Sequence, residues 1–544
     1  MDKTSIVVIS ICAVLLFFTW PTPSPVAPQA PATAIQTDSQ PAPALKQVTA
    51  SVITAVKKTT NFKLVELTNE ALTLTLDPNE AGITSVKLNS YFGEEDKEQP
   101  YHFSMLNAPL LKLQSKTGYQ LQVTESKQEG DLFVVSGKID GIAVEFTQTF
   151  TLSKGETEAS KYIIDSTVSF INKGTTPIVI GDLFVGIGSV TPLIPDSSSY
   201  IYGGETNQRV SWRESKSQDL TGENVKTVDE EDKNTFTQGA TSDWVSLENR
   251  YFASIVSSKS KFIGLSATTV PLKGQDGKGL RAIGEVSVPM LNAGQSQEFS
   301  FSAYVGPKKY DYLIDLGEDQ EDLLDLGWSF IRPLSKLVLR MLIWLSSVGI
   351  NIGLAIIIIT VIIKGIFWPI THKSSVSMKK MSSIQPMIKE IREKHKGDQQ
   401  MIQQKTMEIY KENKVNPIGG CLPMFIQIPV FFALYSTFRS AVELRQSSFL
   451  WCNDLARPDT VAELFSVAVN PLALAMVVTM FAQQLLAPTS ADPNQKKMML
   501  AMPFVMLFFM YDMPAGLTLY WTVSQLLSIV QQYFTNKSLK KDAK

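Results

Sequence analysis

The sequence has little cysteine and little histidine. Three Cys (Cys12, Cys421, Cys452) stand in 544 residues, too few for a disulfide framework or a four-Cys zinc site. Three His (His102, His372, His395) leave little room for metal binding or His-based acid–base chemistry. Neither charge sign is in excess. With 50 Lys+Arg against 52 Asp+Glu, no basic face argues for nucleic acid. Charge itself is scarce, at 19% of residues against about 25% in an average soluble domain. No P-loop, HExxH, GxSxG, Cys/His metal spacing or dinucleotide fingerprint occurs. The chain is therefore read as a non-enzyme, and no cofactor is expected.

The scarce charge is unevenly spread. Ser5–Trp20 carries none, and sixteen helical residues reach about 24 Å, near the lower limit for crossing a bilayer. A cleaved signal peptide is the alternative to an uncleaved anchor. Trp20 and Pro21 stand where small residues would precede cleavage, which favours the anchor. Pro21–Val56 is rich in Pro, Ala, Thr and Gln and reads as an extended tether. From Lys57 to Val305 short alternating runs appear, such as Ala71–Leu76 (ALTLTL) and Val144–Leu152 (VEFTQTFTL). Asp77-Pro78-Asn79, Asn172-Lys173-Gly174 and Asn292-Ala293-Gly294 punctuate them. Period-two alternation between such turns predicts an antiparallel β-sandwich.

After Tyr310 an acidic amphipathic stretch leads into Ile331–Leu345. There Arg332, Lys336, Arg340 and Trp344 alternate with apolar residues, as on a helix lying at a membrane surface. Five apolar segments follow: Gly349–Trp368, Cys421–Phe438, Leu464–Leu486, Met498–Tyr511 and Ala515–Tyr533. Together they predict a polytopic α-helical membrane protein with six transmembrane helices and a large external antiparallel β-sandwich domain. Met498–Tyr511 is short for a span, so either its helix extends into polar sequence or the bilayer is thin there. Thr371–Gly419 holds ten Lys/Arg against five Asp/Glu, and Lys496, Lys497, Lys537, Lys540, Lys541 and Lys544 follow. These basic regions fall on one side if both termini are cytoplasmic.

The expected organisation is then an anchor at 1–20, a linker at 21–56, the external β-domain at 57–310 and an interfacial region at 311–346. Spans follow at 347–369, 421–442, 463–486 and, as a pair, 498–534. A cytoplasmic hairpin (370–420), an external loop (443–462), a cytoplasmic loop (487–497) and a basic tail (535–544) join or follow them.

Lys364 lies inside the apolar run Ile356–Trp368 (IIIITVIIKGIFW). An ionisable residue at mid-membrane costs about 2.5–3.5 kcal/mol on insertion scales. Either it snorkels toward the interface or it faces a watery cavity between helices. Thr360, at i−4, shares its helix face. Gln427, and Ser524 and Gln525 following Tyr520-Trp521, are further polar groups at membrane depth. Each is ordinarily interhelical glue, and together with Lys364 and Thr360 they could line one pocket. Met498, Met502, Met506 and Met510 recur every four residues. That face is either ordinary packing or an adaptable apolar surface. The basic hairpin is either a solvated face or a contact for anionic lipid headgroups or RNA.

The stretches IIIITVIIKGIFWP (Ile356–Pro369), VNPIGGC (Val415–Cys421), IQIPVFFALY (Ile426–Tyr435), VELRQ (Val442–Gln446) and PAGLTLY (Pro514–Tyr520) resemble the Oxa/Alb/YidC superfamily of membrane-protein insertases. The resemblance covers about Ile343–Tyr533, in order and with the expected spacing. The anchor and β-domain resemble the Gram-negative form, whose periplasmic domain is a β-supersandwich similar in fold to sugar mutarotases. The resemblance implies an inner-membrane insertase and chaperone that works alone or with the Sec translocon and needs no cofactor. Its partners would be nascent membrane-protein clients, the ribosome, signal-recognition targeting factors and membrane lipids. It implies a hydrophilic groove containing Lys364, Thr360, Gln427, Tyr520 and Ser524. It also sets Met498, Met502, Met506 and Met510 along the client's path. Most of the family has arginine where this chain has Lys364. An ion-coupled transporter with a sensor ectodomain is the alternative, although no repeated halves are evident.

Overall fold

The computed structural model describes residues 62–93, 99–105, 107–193, 207–214, 220–231, 234–239, 241–272, 278–413, 415–416, 422–464, 467–486 and 493–541. The expected anchor (1–20) and linker (21–56) lie outside the described residues, as do Cys12, Cys421 and the end of the basic tail.

The alternating runs form strands whose alternate residues are buried. Leu72, Leu74 and Leu76 point inward while Thr73, Thr75 and Asp77 are half-buried. Val144–Leu152 behaves likewise. The largest sheet has nine antiparallel strands. In spatial order they are Thr221–Asn224, Arg209–Glu214, Ser242–Glu248, Phe252–Phe262, Ser296–Pro307, Ile163–Asn172, Val144–Leu152, Leu132–Ile139 and Leu121–Glu129. A five-stranded sheet packs on it, with Leu183–Val190 lying over Ser242–Glu248 and Phe252–Phe262. A four-stranded sheet over residues 65–104 joins these through paired backbone bonds between Ile83 and Leu110. Phe133, Phe146, Phe150, Phe170 and Phe299 fill the core. Turn chemistry follows the sequence: Asp77 Oδ1 accepts from the Asn79 amide at 2.9 Å, and Gly294 takes φ +71, a left-handed conformation that glycine adopts without strain.

Among the described residues, eight α-helices follow the last large strand and a short helix at Tyr310–Leu316. They are α1 (Arg332–Ser347), α2 (Ile352–Ser383), α3 (Gln385–Lys394), α4 (Gln399–Glu412), α5 (Leu422–Ser440), α6 (Pro471–Leu486), α7 (Pro493–Met510) and α8 (Ala515–Lys541). α1 buries Val338, Leu339, Leu342 and Leu345 and exposes Leu337 and Trp344. α8 packs against α2 and α6, α7 against α6, and α1 against α5 and α2. α3 and α4 close on a small core of Ile384, Ile388, Ile409 and Val415. The break between them falls at Gly397, φ +101.

Four boundaries differ from the sequence reading. α2 does not stop at Pro369 but runs on to Ser383. A proline inside a helix removes one backbone bond and is tolerated where neighbouring groups compensate. Here the carbonyl that loses its donor is that of Gly365, which is exposed rather than packed. The span expected at 463–486 is helical only from Pro471, because Ala462–Leu464 and Val467–Val469 pair as a short ribbon. Proline suits the first turn of a helix, and the Asp459 carboxylate accepts from the Leu472 amide at 2.6 Å. α7 begins at Pro493, so the short fifth apolar segment does extend into polar sequence. α8 continues to Lys541, into the expected tail.

Paired arginines join the β-domain to the loop after α5. Arg445 is buried, donates to the Phe92 carbonyl at 2.5 Å and lies 5.4 Å over the Phe252 ring. Gln446 donates to the Gly93 carbonyl at 3.0 Å. In the other direction Arg250 donates to the Arg439 carbonyl at 2.8 Å. That carbonyl lies in the last turn of α5, where the helix dipole favours a cation.

Candidate functional site

Of the described helices, one, α2, is both long and apolar enough to cross a membrane by length and composition. Its packed face carries Ile352, Ala355, Ile356, Ile359 and Thr360, all buried. At the Asn351 end this face is sealed. A Cβ on Gly353 would lie 2.1 Å from the Phe449 ring, so only glycine fits there. Ile356, Leu444, Leu517 and Gly516 close the same end. One turn beyond Thr360 the character changes. Lys364, half-buried, donates to the Ser528 hydroxyl of α8 at 2.9 Å. Ser528 in turn donates to the Ser524 carbonyl at 2.9 Å. Further along, Gln531 donates to the Thr371 hydroxyl at 2.7 Å, and His372 Nδ1 lies 3.0 Å from the Thr535 hydroxyl. The α2–α8 contact is thus apolar in one half and polar in the other.

The expected site residues divide into groups. Gln427 of α5 donates to the Tyr520 hydroxyl of α8, and Tyr520 also interacts with Ser524. Lys364 reaches the same stretch of α8 through Ser528. Thr360 stands apart: it is fully buried, and its hydroxyl donates to the Ile356 carbonyl of its own helix at 2.7 Å. No carboxylate pairs with Lys364 among the described residues. Ser528 was missed in the sequence, although it lies one turn beyond Ser524 and so on the same face of α8.

The methionine series is not uniform. Met498 lies within α7. Met502 is exposed, Met506 half-buried and Met510 buried at 1% exposure. The exposed face of α7 is mostly aromatic and aliphatic, with Leu500, Phe504, Val505, Phe508 and Phe509. No group of three or more His, Cys, Asp or Glu that would hold a metal occurs among the described residues.

A β-rich domain followed by helices with exposed apolar faces, one of them long and apolar enough to cross a membrane, is the make-up of a membrane protein with a large β-domain. Residues 64–337, half of the chain, match the family model of the YidC periplasmic domain. Residues 344–542 match that of the 60Kd inner membrane protein. The chain belongs to the YidC family of membrane protein insertases. The membrane protein insertase YidC of Geobacter metallireducens is 36% identical over 403 residues, covering 73% of this chain and 68% of that one. Its counterpart from Geotalea daltonii is 46% identical over 250 residues, 46% of this chain and 45% of that one. The chain thus spans two thirds of the first relative and about half of the second. A solved structure of an active YidC insertase with its first transmembrane domain resolved is 19% identical. It covers 87% of this chain and 93% of that one at a TM-score of 0.37, too low to add to the assignment. The family is one of insertases, which leaves the transporter reading without support.

Proposed function

We propose that this chain inserts and helps fold inner-membrane proteins, using the polar half of the α2–α8 contact as a groove for the client's hydrophilic segment. The observation that carries the reading is Lys364: a half-buried cation in an apolar helix, held by a hydroxyl and facing no carboxylate among the described residues. A client's external segment must cross about 30 Å of hydrocarbon. A polar groove reaching part-way shortens the dry distance, and a cation in it attracts a carboxylate-bearing segment. The sealed Asn351 end keeps the groove closed on the outer side. The client's apolar helix then leaves sideways into lipid, driven by burial of about 20 apolar residues.

In this reading α2, α5, α6, α7, α8 and an N-terminal span at residues 1–20 make six crossings with both termini in the cytoplasm. The β-domain is periplasmic and the α3–α4 hairpin cytoplasmic. Lys364, Thr360, Gln427, Tyr520 and Ser524 belong to the groove, Thr360 as packing on its closed side. The exposed face of α7, Met502 included, is the client's path. The chain works alone or beside the Sec translocon, and receives clients from the ribosome and signal-recognition targeting factors.

The test is insertion of one acidic-tailed and one neutral-tailed single-span client into proteoliposomes. Lys364→Arg should retain insertion. Lys364→Ala should impair it, most with the acidic tail. Lys364→Glu should be worst, because like charges at contact distance repel by about 4 kcal/mol at an effective dielectric near 20. Equal rates for Lys364→Ala and wild type with the acidic tail would make Lys364 a snorkelling residue and overturn the groove.

A further inference from the structure

We infer that Ser528 is a positioning residue for Lys364: it aims the ammonium into the space between α2 and α8 where a client's carboxylate would meet it. This rests on the groove reading above and adds to it the group that sets the cation's direction. A lysine side chain is a flexible four-carbon stem ending in a point charge with three donors. In an apolar helix it gains most by reaching for the nearest headgroups or water. Lys364 instead turns onto α8 and gives one N–H to Ser528 Oγ at 2.9 Å.

The acceptor is itself oriented. Ser528 Oγ donates to the Ser524 carbonyl four residues back, at 2.9 Å. That bond fixes the hydroxyl proton, so the lone pairs point away from the α8 backbone and toward Lys364. One donor of the ammonium is thus satisfied by the protein. No acceptor for the other two occurs among the described side chains. A hydroxyl supplies a dipole without cancelling the charge, as an aspartate would. It holds the cation in place and leaves it available. The arrangement also suits lysine. Arginine, with five donors in a rigid plane, depends less on one acceptor.

The experiment is a double-mutant cycle in proteoliposomes of the full chain, with the acidic-tailed and neutral-tailed clients above. The readout is the ratio of their insertion rates. Ser528→Ala should lower that ratio about fivefold to tenfold, the range expected when a hydrogen bond to a charged group is lost and water replaces part of it. Ser528→Thr keeps the hydroxyl and should keep the ratio. On the Lys364→Ala background, Ser528→Ala should change the ratio no further, since a positioning residue acts only through the group it positions. If Ser528→Ala slows both clients equally, or changes the ratio as much without Lys364 as with it, Ser528 only packs α8 and the inference is overturned. If Lys364→Ala alone leaves the ratio unchanged, the groove reading itself has failed.

Discussion

The β-domain and the helical part hide their apolar surface in opposite ways. In the β-domain the exposed large apolar side chains among the described residues are Leu64, Val179, Ile263 and Met290, all isolated in sequence. Single exposed residues of that kind are ordinary on a water-solvated surface. The helical part exposes whole faces: Leu354, Val361, Ile362 and Ile366 on α2, and Phe504, Phe508 and Phe509 on α7. Contiguous faces of that size need an apolar surrounding, here lipid or a client helix. The polar groups are inverted accordingly. Pairs such as Lys138–Glu145 and Lys154–Asp131 lie on the surface of the β-domain, whereas Lys364 and Gln531 turn toward the contact between α2 and α8. One chain thus carries a domain built for water and a bundle built for a bilayer.

If the β-domain is self-contained, a lesion in its core should unfold it without stopping insertion. The largest lesion available is at Glu248, 1% exposed, which pairs with Lys308 at 2.6 Å and accepts from Ser211 at 2.8 Å. Removing one partner of a buried pair strands the other charge and costs about 3–5 kcal/mol. Glu248→Ala should therefore lower the denaturation midpoint followed by the fluorescence of buried Trp212 and Trp244. Insertion should persist at a permissive temperature. Equal loss of both would mean that the two regions are one cooperative unit.

The joint between the regions is the next place to probe. Arg445→Ala removes the bond to the Phe92 carbonyl and the stacking on Phe252. A hydrogen bond to a charged group is worth about 1.5–3 kcal/mol. Protease cleavage between the β-domain and α1 should accelerate accordingly, with the β-domain's own midpoint unchanged. Unchanged cleavage would show that Gln446 and Arg250 suffice to hold the joint.

The sequence made the two regions legible to different depths. Alternation in Leu72–Asp77 and Val144–Leu152 is set by local side-chain polarity, so strand and inward face were both readable. The order of the nine strands was not, because pairing between residues far apart leaves no periodic signal. Hydropathy marked the helices but misjudged their ends. Pro369 reads as a stop, yet the helix runs through it, since the one carbonyl left without a donor, that of Gly365, lies on an exposed face. The span expected from residue 463 reads as membrane helix at its start, yet Ala462–Leu464 and Val467–Val469 pair as a ribbon whose register only the fold supplies. At the site, Lys364, Gln427 and Ser524 stood out as polar residues in apolar runs, and Tyr520 through the family resemblance. Ser528 did not, since one serine in a mixed helix end carries no pattern until Lys364 is seen to reach it.

A smaller test sharpens the sealed end of the helical part. Gly353→Ala puts a methyl where the Phe449 ring lies. Overpacking of this kind costs about 1–3 kcal/mol. Thermal aggregation of the protein in detergent should begin at lower temperature, and solvent accessibility of a cysteine introduced at Thr360 should rise. Unaltered accessibility would mean that Phe449 swings aside without opening the seal.

The smallest expected effect lies back in the β-domain and concerns pH. His102, on an outer face, lies directly across the strand pair from Lys87, and its Nε2 is 2.6 Å from the Ser85 hydroxyl. Partial burial, and then the Lys87 ammonium, hold its pKa below the ordinary 6.5. For a base whose folded pKa is depressed, the unfolded chain binds more protons as pH falls below 6.5. The stability is then complete above that pH and declines as pH falls through the folded pKa. Because the residue is only partly buried and solvent screens the repulsion, the loss should stay below about 0.5 kcal/mol. Urea midpoints of the β-domain signal at about pH 7.5 and pH 5.5 should differ slightly more in wild type than in His102→Gln. Lys87→Gln, which removes the second cause only, should fall between them. An acid slope that is the same in all three would place the titrating groups elsewhere in the β-domain, since neither His102 nor its two causes of depression would then be felt in its stability.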